Sequence, residues 1–317
     1  MPNKLDHPKG SSHSRFAAWL ALSTLLYGSA TCAAAFDPSL TQVSENAIVR
    51  WATGAQDLNR GLRDQAQPFL GNASQGDITE AIGAADANRN APPASTGTVS
   101  LGDFGSITVT FDLPIFDGPG LDFAVFENGA DFSPFGLSLE LAFVEVSSNG
   151  TDFFRFESTA NDADAVRAFG PFGSRADATG LNNLAGNQVL LEDSGIVLER
   201  FGTGFDLTDL SGITDPLLDL NNITAIRLVD VGGLDPEVLS AIEDANSDPL
   251  FTSDEVDALT RFDSEGNVII DGAGFSSASN GFDLDAVGAL NVVPEPSTYA
   301  LLLGLLAGLL ALRRRRK

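Results

Sequence analysis

The stretch Gly105-Ser-Ile-Thr-Val-Thr-Phe-Asp112 places Ile107, Val109 and Phe111 at every second position, with polar or small residues between them. A period of two puts all three on one face of a strand, because successive side chains of an extended chain point to opposite sides. Working outward, Leu121-Asp-Phe-Ala-Val-Phe126 and Leu139-Glu-Leu-Ala-Phe-Val-Glu-Val146 continue the alternation, the second with one slip at Phe143-Val144. Ile223-Thr-Ala-Ile-Arg-Leu-Val229 and Phe282-Asp-Leu-Asp-Ala-Val287 are further strand candidates. Turn signals separate them: Asp117-Gly-Pro-Gly120, Asn149-Gly150 and Gly202-Thr-Gly204. Many short half-buried strands, with 22 Phe and 32 Gly in 317 residues, predict an all-β body, an antiparallel β-sandwich or jelly roll. No internal repeat of propeller or solenoid length is visible.

Helical periodicity is thin. Residues 57–66 could form one short helix. Asp235-Pro-Glu-Val-Leu-Ser-Ala-Ile-Glu243 begins with an Asp cap and a Pro at the first helical position, and sets Val238, Leu239 and Ile242 on one face. Residues 254–261 offer another turn. The expectation is a short helical insertion at about 235–275 within the β body.

Charge narrows the chemistry. Residues 36–293 hold 10 Arg, no Lys and 41 Asp or Glu, a net of −31. So acidic a body repels nucleic acid and anionic lipid and suits an exported protein that meets divalent cations. His7, His13, Cys32, Met1, Tyr27 and Tyr299 all lie outside this span, which leaves it without His, Cys, Lys, Tyr or Met. Ser-His-Asp and Cys-His nucleophilic sites, His or Cys zinc sites and Schiff-base lysines are thereby removed. No disulfide can brace the body. Carboxylate chemistry, or none, remains, and the expectation is a protein that is not an enzyme.

Both ends read as addresses. A basic stretch ending at Arg15 precedes the apolar run Phe16–Tyr27, and small residues lead to an A-x-A site at Ala33 and Ala35. This is the layout of a secretory signal peptide, residues 1–35, cut before Phe36 by signal peptidase. A run of about 12 apolar residues falls short of the roughly 20 that a membrane helix needs. At the other end, Val293-Pro294-Glu295-Pro296-Ser297 precedes the apolar stretch Tyr299–Leu312, and Arg313–Lys317 are all basic. The basic cluster would hold a short transmembrane helix on the cytoplasmic side during export. The prolines keep the preceding segment extended.

Pro294, Glu295 and Pro296, the short hydrophobic helix and the terminal Arg block resemble the PEP-CTERM sorting signal. That resemblance implies recognition of residues 294–317 by an exosortase of Gram-negative bacteria, a membrane-anchored stage, and delivery to the cell surface or extracellular matrix beside exopolysaccharide. The body is also similar to surface proteins that carry this tail, through Ala81-Ile-Gly-Ala84, Gly105–Phe111, Phe123-Ala-Val-Phe-Glu-Asn128, Val144–Phe153 and Gly281–Gly288. Val146-Ser-Ser-Asn-Gly-Thr-Asp-Phe153 resembles a hairpin of galactose-binding-like jelly rolls, which implies a sandwich that binds glycans or other surfaces through its end loops.

Two acidic runs are candidate calcium loops. From Asp244, oxygen donors fall at positions 1 (Asp244), 3 (Asn246), 5 (Asp248), 9 (Thr252) and 12 (Glu255), which resembles an EF-hand loop. Pro249 stands where that loop keeps Gly. A second run places Asp263, Glu265, Asn267 and Asp271 at alternate or near-alternate positions, with Gly274 where the final Glu would be. Asp, Asn and Ser also favour turns, so a solvated acidic insertion is the competing reading.

The sequence predicts an exported surface or matrix protein, structural or adhesive, with calcium as the candidate cofactor and exopolysaccharide as the candidate partner. A glycan-binding module is the alternative. A carboxylate glycoside hydrolase built on acids such as Asp122, Glu127, Glu140 or Glu145 is the weaker one, since two carboxylates suffice for that chemistry but Trp51 is the body's single Trp.

Overall fold

The computed structural model describes residues 37–64, 67–88, 96–131, 137–160, 178–232, 261–269 and 277–294, together with Arg313. The chain parts into two units between Ala34 and Ala35, and every described residue belongs to the second. The expected signal peptide with Ala33 and Ala35, the helix expected at 235–243, all of the turn expected at 254–261 except Arg261, and the apolar stretch 299–312 lie outside the described residues; Arg261 itself begins a strand, not a helix, because it pairs with Ile269.

Two antiparallel sheets of six strands dominate. The first runs in the order β1 (Gln42–Ser44), β16 (Phe201–Phe205), β6 (Phe123–Glu127), β20 (Asp283–Ala289) and β2 (Arg50–Trp51), with β4 (Val99–Ser100) also pairing β20. The second runs β10 (Phe154–Arg155), β9 (Ala142–Ser147), β17 (Ile223–Asp230), β5 (Ser106–Ile115) and β3 (Gly54–Asn59), with β13 (Leu184–Ala185) on β9. Among the described residues, four two-stranded sheets complete the strands: β7 (Ala130–Asp131) with β8 (Leu137–Ser138), β11 (Thr159–Ala160) with β12 (Leu181–Asn182), β14 (Leu191–Asp193) with β15 (Ile196–Glu199), and β18 (Arg261–Phe262) with β19 (Val268–Ile269). Among the described residues of the body, the helices are single 3-10 turns such as Ile78–Ala81, capped by Asp77.

Alternation explains how the sheets meet. Ile107, Val109 and Phe111 of β5 share one apolar cluster with Val144 and Val146 of β9, Ile226 and Leu228 of β17, and Phe123, Val125, Leu284 and Val287 of the other sheet. Phe123 and Phe205 stack at 5.2 Å and 10°, and Phe156 tilts against both. Burying such rings stabilises by about 2–3 kcal/mol each, with about 1 kcal/mol more for each favourable aromatic pair. The slip at Phe143-Val144 has a structural meaning. Val144 faces the shared core, whereas Phe143 joins Leu139, Leu141, Leu181 and Leu184 in a second cluster on the opposite face. At Phe143 that strand is apolar on both sides, whereas Glu145 and Ser147 make the rest of its outer face polar.

Two expectations are corrected. Residues 57–59 are the end of strand β3, not the start of a helix, because β3 pairs with β5 and Ala55 and Leu58 pack on the core. Gly202-Thr-Gly204 is not a turn but the middle of β16. A Cβ on Gly204 would lie 2.5 Å from Leu121 and 2.8 Å from Val43. These glycines serve close packing. Gly120 and Gly150, by contrast, sit in turns at φ 81° and 74°, as expected of the Asp117–Gly120 and Asn149-Gly150 signals.

Candidate functional site

The last strand leads directly into the C-terminal neck. Beyond Ala289 the backbone stays bonded: Leu290 N–H donates to Asp122 O at 2.7 Å and Asn291 N–H to the same oxygen at 3.3 Å. Phe116 N–H donates to Asn291 O at 3.3 Å, Ile115 bridges Val292, and Val293 N–H donates to Pro114 O at 2.9 Å. Asn291 also donates its side-chain amide to Asp122 Oδ1 at 2.8 Å. Pro294, the first residue of the expected sorting motif, follows immediately and is exposed; Glu295 and Pro296 lie outside the described residues.

Asp122 organises this end of the molecule. Its buried carboxylate accepts from Gly118 N–H and Leu207 N–H, both at 2.8 Å, besides Asn291. Burial pushes its pKa up, the three hydrogen bonds pull back, and the neighbouring Asp206 adds a smaller push upward. Asp206 caps a 3-10 turn through Thr208 N–H at 2.9 Å, and Asp117 accepts from the Thr208 hydroxyl at 3.0 Å. Among the described residues, Asp117, Asp122 and Asp206 form the group of three carboxylates whose oxygens approach within 4.8 Å of one another. Oxygen-only donors of this kind suit a hard divalent cation. These residues were not in the sequence-derived metal set, because three acids spread over about 90 positions leave no spacing pattern.

The expected calcium loops fare differently. Asp244, Asn246, Asp248, Thr252, Glu255 and Asp271 lie outside the described residues. Asp263, Glu265 and Asn267 fall in the turn between β18 and β19. Asp263 Oδ1 accepts from Glu265 N–H at 2.9 Å and Asn267 N–H at 2.7 Å, and its Oδ2 from Ala160 N–H at 2.7 Å and the Asn267 side chain at 2.9 Å. Burial raises its pKa, but these hydrogen bonds outweigh that and hold it below the usual carboxylate value. Here Asp263 braces a turn, and Asn267 is its donor.

On the outer face of the second sheet, register aligns five polar side chains in one row across the strands: Gln56, Thr108, Arg227, Glu145 and Arg155. Glu145 is engaged from both sides, by Arg155 Nε at 2.9 Å on one oxygen and by Arg227 on the other. Each guanidinium lies over a ring, Arg155 over Phe143 at 4.3 Å and Arg227 over Phe153 at 4.0 Å. Of the acids weighed for hydrolysis, Asp122, Glu127 and Glu145 are buried, not on a solvated face.

Sequence reasoning also missed two buried acids on β20. Asp283, bonded by the Ser100 hydroxyl and by Asn128 at 2.9 Å, is pushed up to about 6 by burial. Asp285 is pushed to about 7 by burial, despite hydrogen bonds from Asp86 and Ala87 N–H. Its Oδ2 is buried with no hydrogen-bond partner among the described residues.

Among the described residues, no helix is long and apolar enough to cross a membrane. Comparison with curated proteins and with solved structures found no match. A family model of the PEP-CTERM protein-sorting motif matches residues 292–316, so its first two residues, Val292 and Val293, are also the last hydrogen-bonded residues of the body. The chain therefore ends in a PEP-CTERM sorting motif, the signal for export and exosortase processing.

Proposed function

We propose that the exported body is a structural or adhesive protein of the cell surface or biofilm matrix, in contact with exopolysaccharide and without catalytic activity of its own. The observation that carries this reading is the sorting motif at 292–316, joined without a linker to a compact β body. The absence of His, Cys, Lys and Tyr from residues 36–293 supports the non-catalytic part. So does the engagement of Asp122 and Glu145 in structural hydrogen bonds.

A body of net charge −31 repels an anionic polymer, so the contact needs a bridging cation. Calcium is the proposed one, held by Asp244, Asn246, Asp248, Thr252 and Glu255, with the Asp117, Asp122 and Asp206 group as a second place for it. The test is the matrix fraction of cells that express the full chain. The protein is expected there, bound to polysaccharide and released by a calcium chelator; retention unaltered by chelation would remove calcium bridging. Matrix cohesion unchanged by deleting the protein would remove the structural role.

A second reading, a glycan-binding module, is favoured by the Gln56–Thr108–Arg227–Glu145–Arg155 row with its two arginine–phenylalanine stacks. Contacts of that kind are short-range. Saturable sugar binding that survives high salt and is lost in Arg227→Ala would support it over bridging.

A further inference from the structure

The sorting motif and the folded body share residues. Val292 and Val293 belong to the matched motif, yet Val292 bridges Ile115 and packs beside the main core, and Val293 N–H is bonded to Pro114 O at 2.9 Å. Just upstream, Asn291 is held by its backbone N–H on Asp122 O, its carbonyl on Phe116 N–H and its side chain on Asp122 Oδ1. Leu290 packs in the cluster on the other side of the first sheet. Four consecutive residues are thus fastened, and no slack separates the last of them from Pro294.

We propose that residues 290–293 form a strap by which the folded body withholds the start of the sorting motif, so that exosortase processing follows release of the strap. The Asn291–Asp122 pair is its clasp. A processing enzyme must take a length of backbone free of other hydrogen bonds, and a fastened segment offers that only in its locally opened state. When opening is fast relative to the cut, the rate follows the open fraction. The strap therefore sets the pace of tail removal, and it does so only once the body has folded. An unfolded body presents the motif without delay, so processing kinetics report on folding.

This inference rests on the sorting reading, and one experiment separates the two. The full chain is expressed in an exosortase-bearing Gram-negative host, and loss of the tail is followed by pulse–chase with an antibody to the body. Two variants relieve the strap: a short Gly-Ser spacer between Val293 and Pro294 supplies free backbone before Pro294 while residues 290–293 stay fastened, and Asn291→Ala opens the clasp. A third, Pro294→Ala with Glu295→Ala and Pro296→Ala, removes the motif. Losing a hydrogen bond to a carboxylate is expected to speed processing in Asn291→Ala by roughly tenfold. The spacer variant is expected to gain at least as much with the thermal melt of the body unchanged, because its sequence from Phe36 to Val293 is intact. A spacer variant processed no faster than wild type overturns the strap while leaving sorting in place. A wild-type chain processed no differently from the motif-less variant overturns both.

Discussion

Asp285 Oδ1 accepts a hydrogen bond from Asp86 N–H at 2.9 Å, tying the last strand to a segment 199 residues earlier in the chain. The same carboxylate is buried and its pKa is pushed to about 7; Asp283, two residues before it, stands at about 6. Both folded values lie above the ordinary 3.8, so between about pH 4 and 7 the folded chain binds more protons than the unfolded one. Stability then falls as pH rises through this window. Asp263 works in the opposite sense. Its folded value lies below 3.8, so its contribution is present above that value and is lost as pH falls through the folded one. Melting temperature is expected to peak in mildly acidic buffer and decline toward pH 8. Asp285→Asn keeps an acceptor for Asp86 and removes the charge, and should flatten the decline by an amount on the order of a few kcal/mol. Equal slopes in the variant and wild type would refute the assignment.

Gly186 follows strand β13 at φ 87°, and a Cβ there would sit 1.8 Å from the backbone carbonyl oxygen of Glu140. Backbone cannot step aside as a side-chain tip can. Gly186→Ala is expected to cost about 3 kcal/mol or more, read as a lower midpoint in urea. Gly150→Ala, at φ 74° in the Asn149-Gly150 turn with nothing within 4 Å, carries conformational strain alone and should cost about 1 kcal/mol. Comparable losses in the two variants would deny the role of the close approach.

Asp263 holds four donors with two oxygens. In Asp263→Asn the carboxamide nitrogen must face either the two donors on Oδ1 or the two on Oδ2, so at least two bonds are lost to donor–donor conflict. Loss of charge-assisted bonds in a buried place predicts destabilisation of about 2–4 kcal/mol. Hydrogen exchange should localise it to Ala160 and residues 263–267. Unchanged protection at Ala160 would show that the brace contributes nothing.

Ile107, Val109 and Phe111 announced their face because one side of β5 is apolar and the other is not. Asp283 and Asp285 alternate just as regularly, and that alternation gives no sign that both faces of β20 are covered. They are buried because the Asp86–Ala87 segment lies against Asp285, and Ser100 and Asn128 against Asp283, contacts between distant segments that no local period encodes. Gly202 and Gly204 carry the composition of a turn, and only the positions of Val43, Leu121 and Phe126 explain them. The sorting motif was legible because its chemistry is local, with consecutive prolines, apolar residues and arginines. The Asp117–Asp122–Asp206 group was not, since it is assembled by folding.

Calcium provides a further test. Millimolar calcium is expected to raise the melting temperature of the chain by several degrees, since a ligand that binds only the folded form stabilises by mass action. Asp244→Ala combined with Glu255→Ala should abolish that rise if the 244–255 loop holds the ion. A rise that persists there but disappears in Asp206→Asn would move the site to the neck end. No rise in wild type would reduce both places to hydrogen-bonded acidic turns.

Glu145 lies between Arg155 and Arg227, and its side chain is 8 % exposed while theirs are 44 % and 36 % exposed. Removing its charge in Glu145→Gln leaves two guanidinium groups facing each other across one neutral amide. Because both arginines reach solvent, the repulsion is screened, and the expected loss is about 1–2 kcal/mol, short of the 3–5 kcal/mol typical of a fully buried broken pair. Screening has a direction that can be checked. Raising salt from about 0.01 M to 1 M shortens the Debye length from roughly 30 Å to 3 Å, so the deficit of Glu145→Gln relative to wild type should shrink as salt is added. A deficit that grows or stays constant would mean that Glu145 acts through packing of the Phe143 and Phe153 stacks and not through charge.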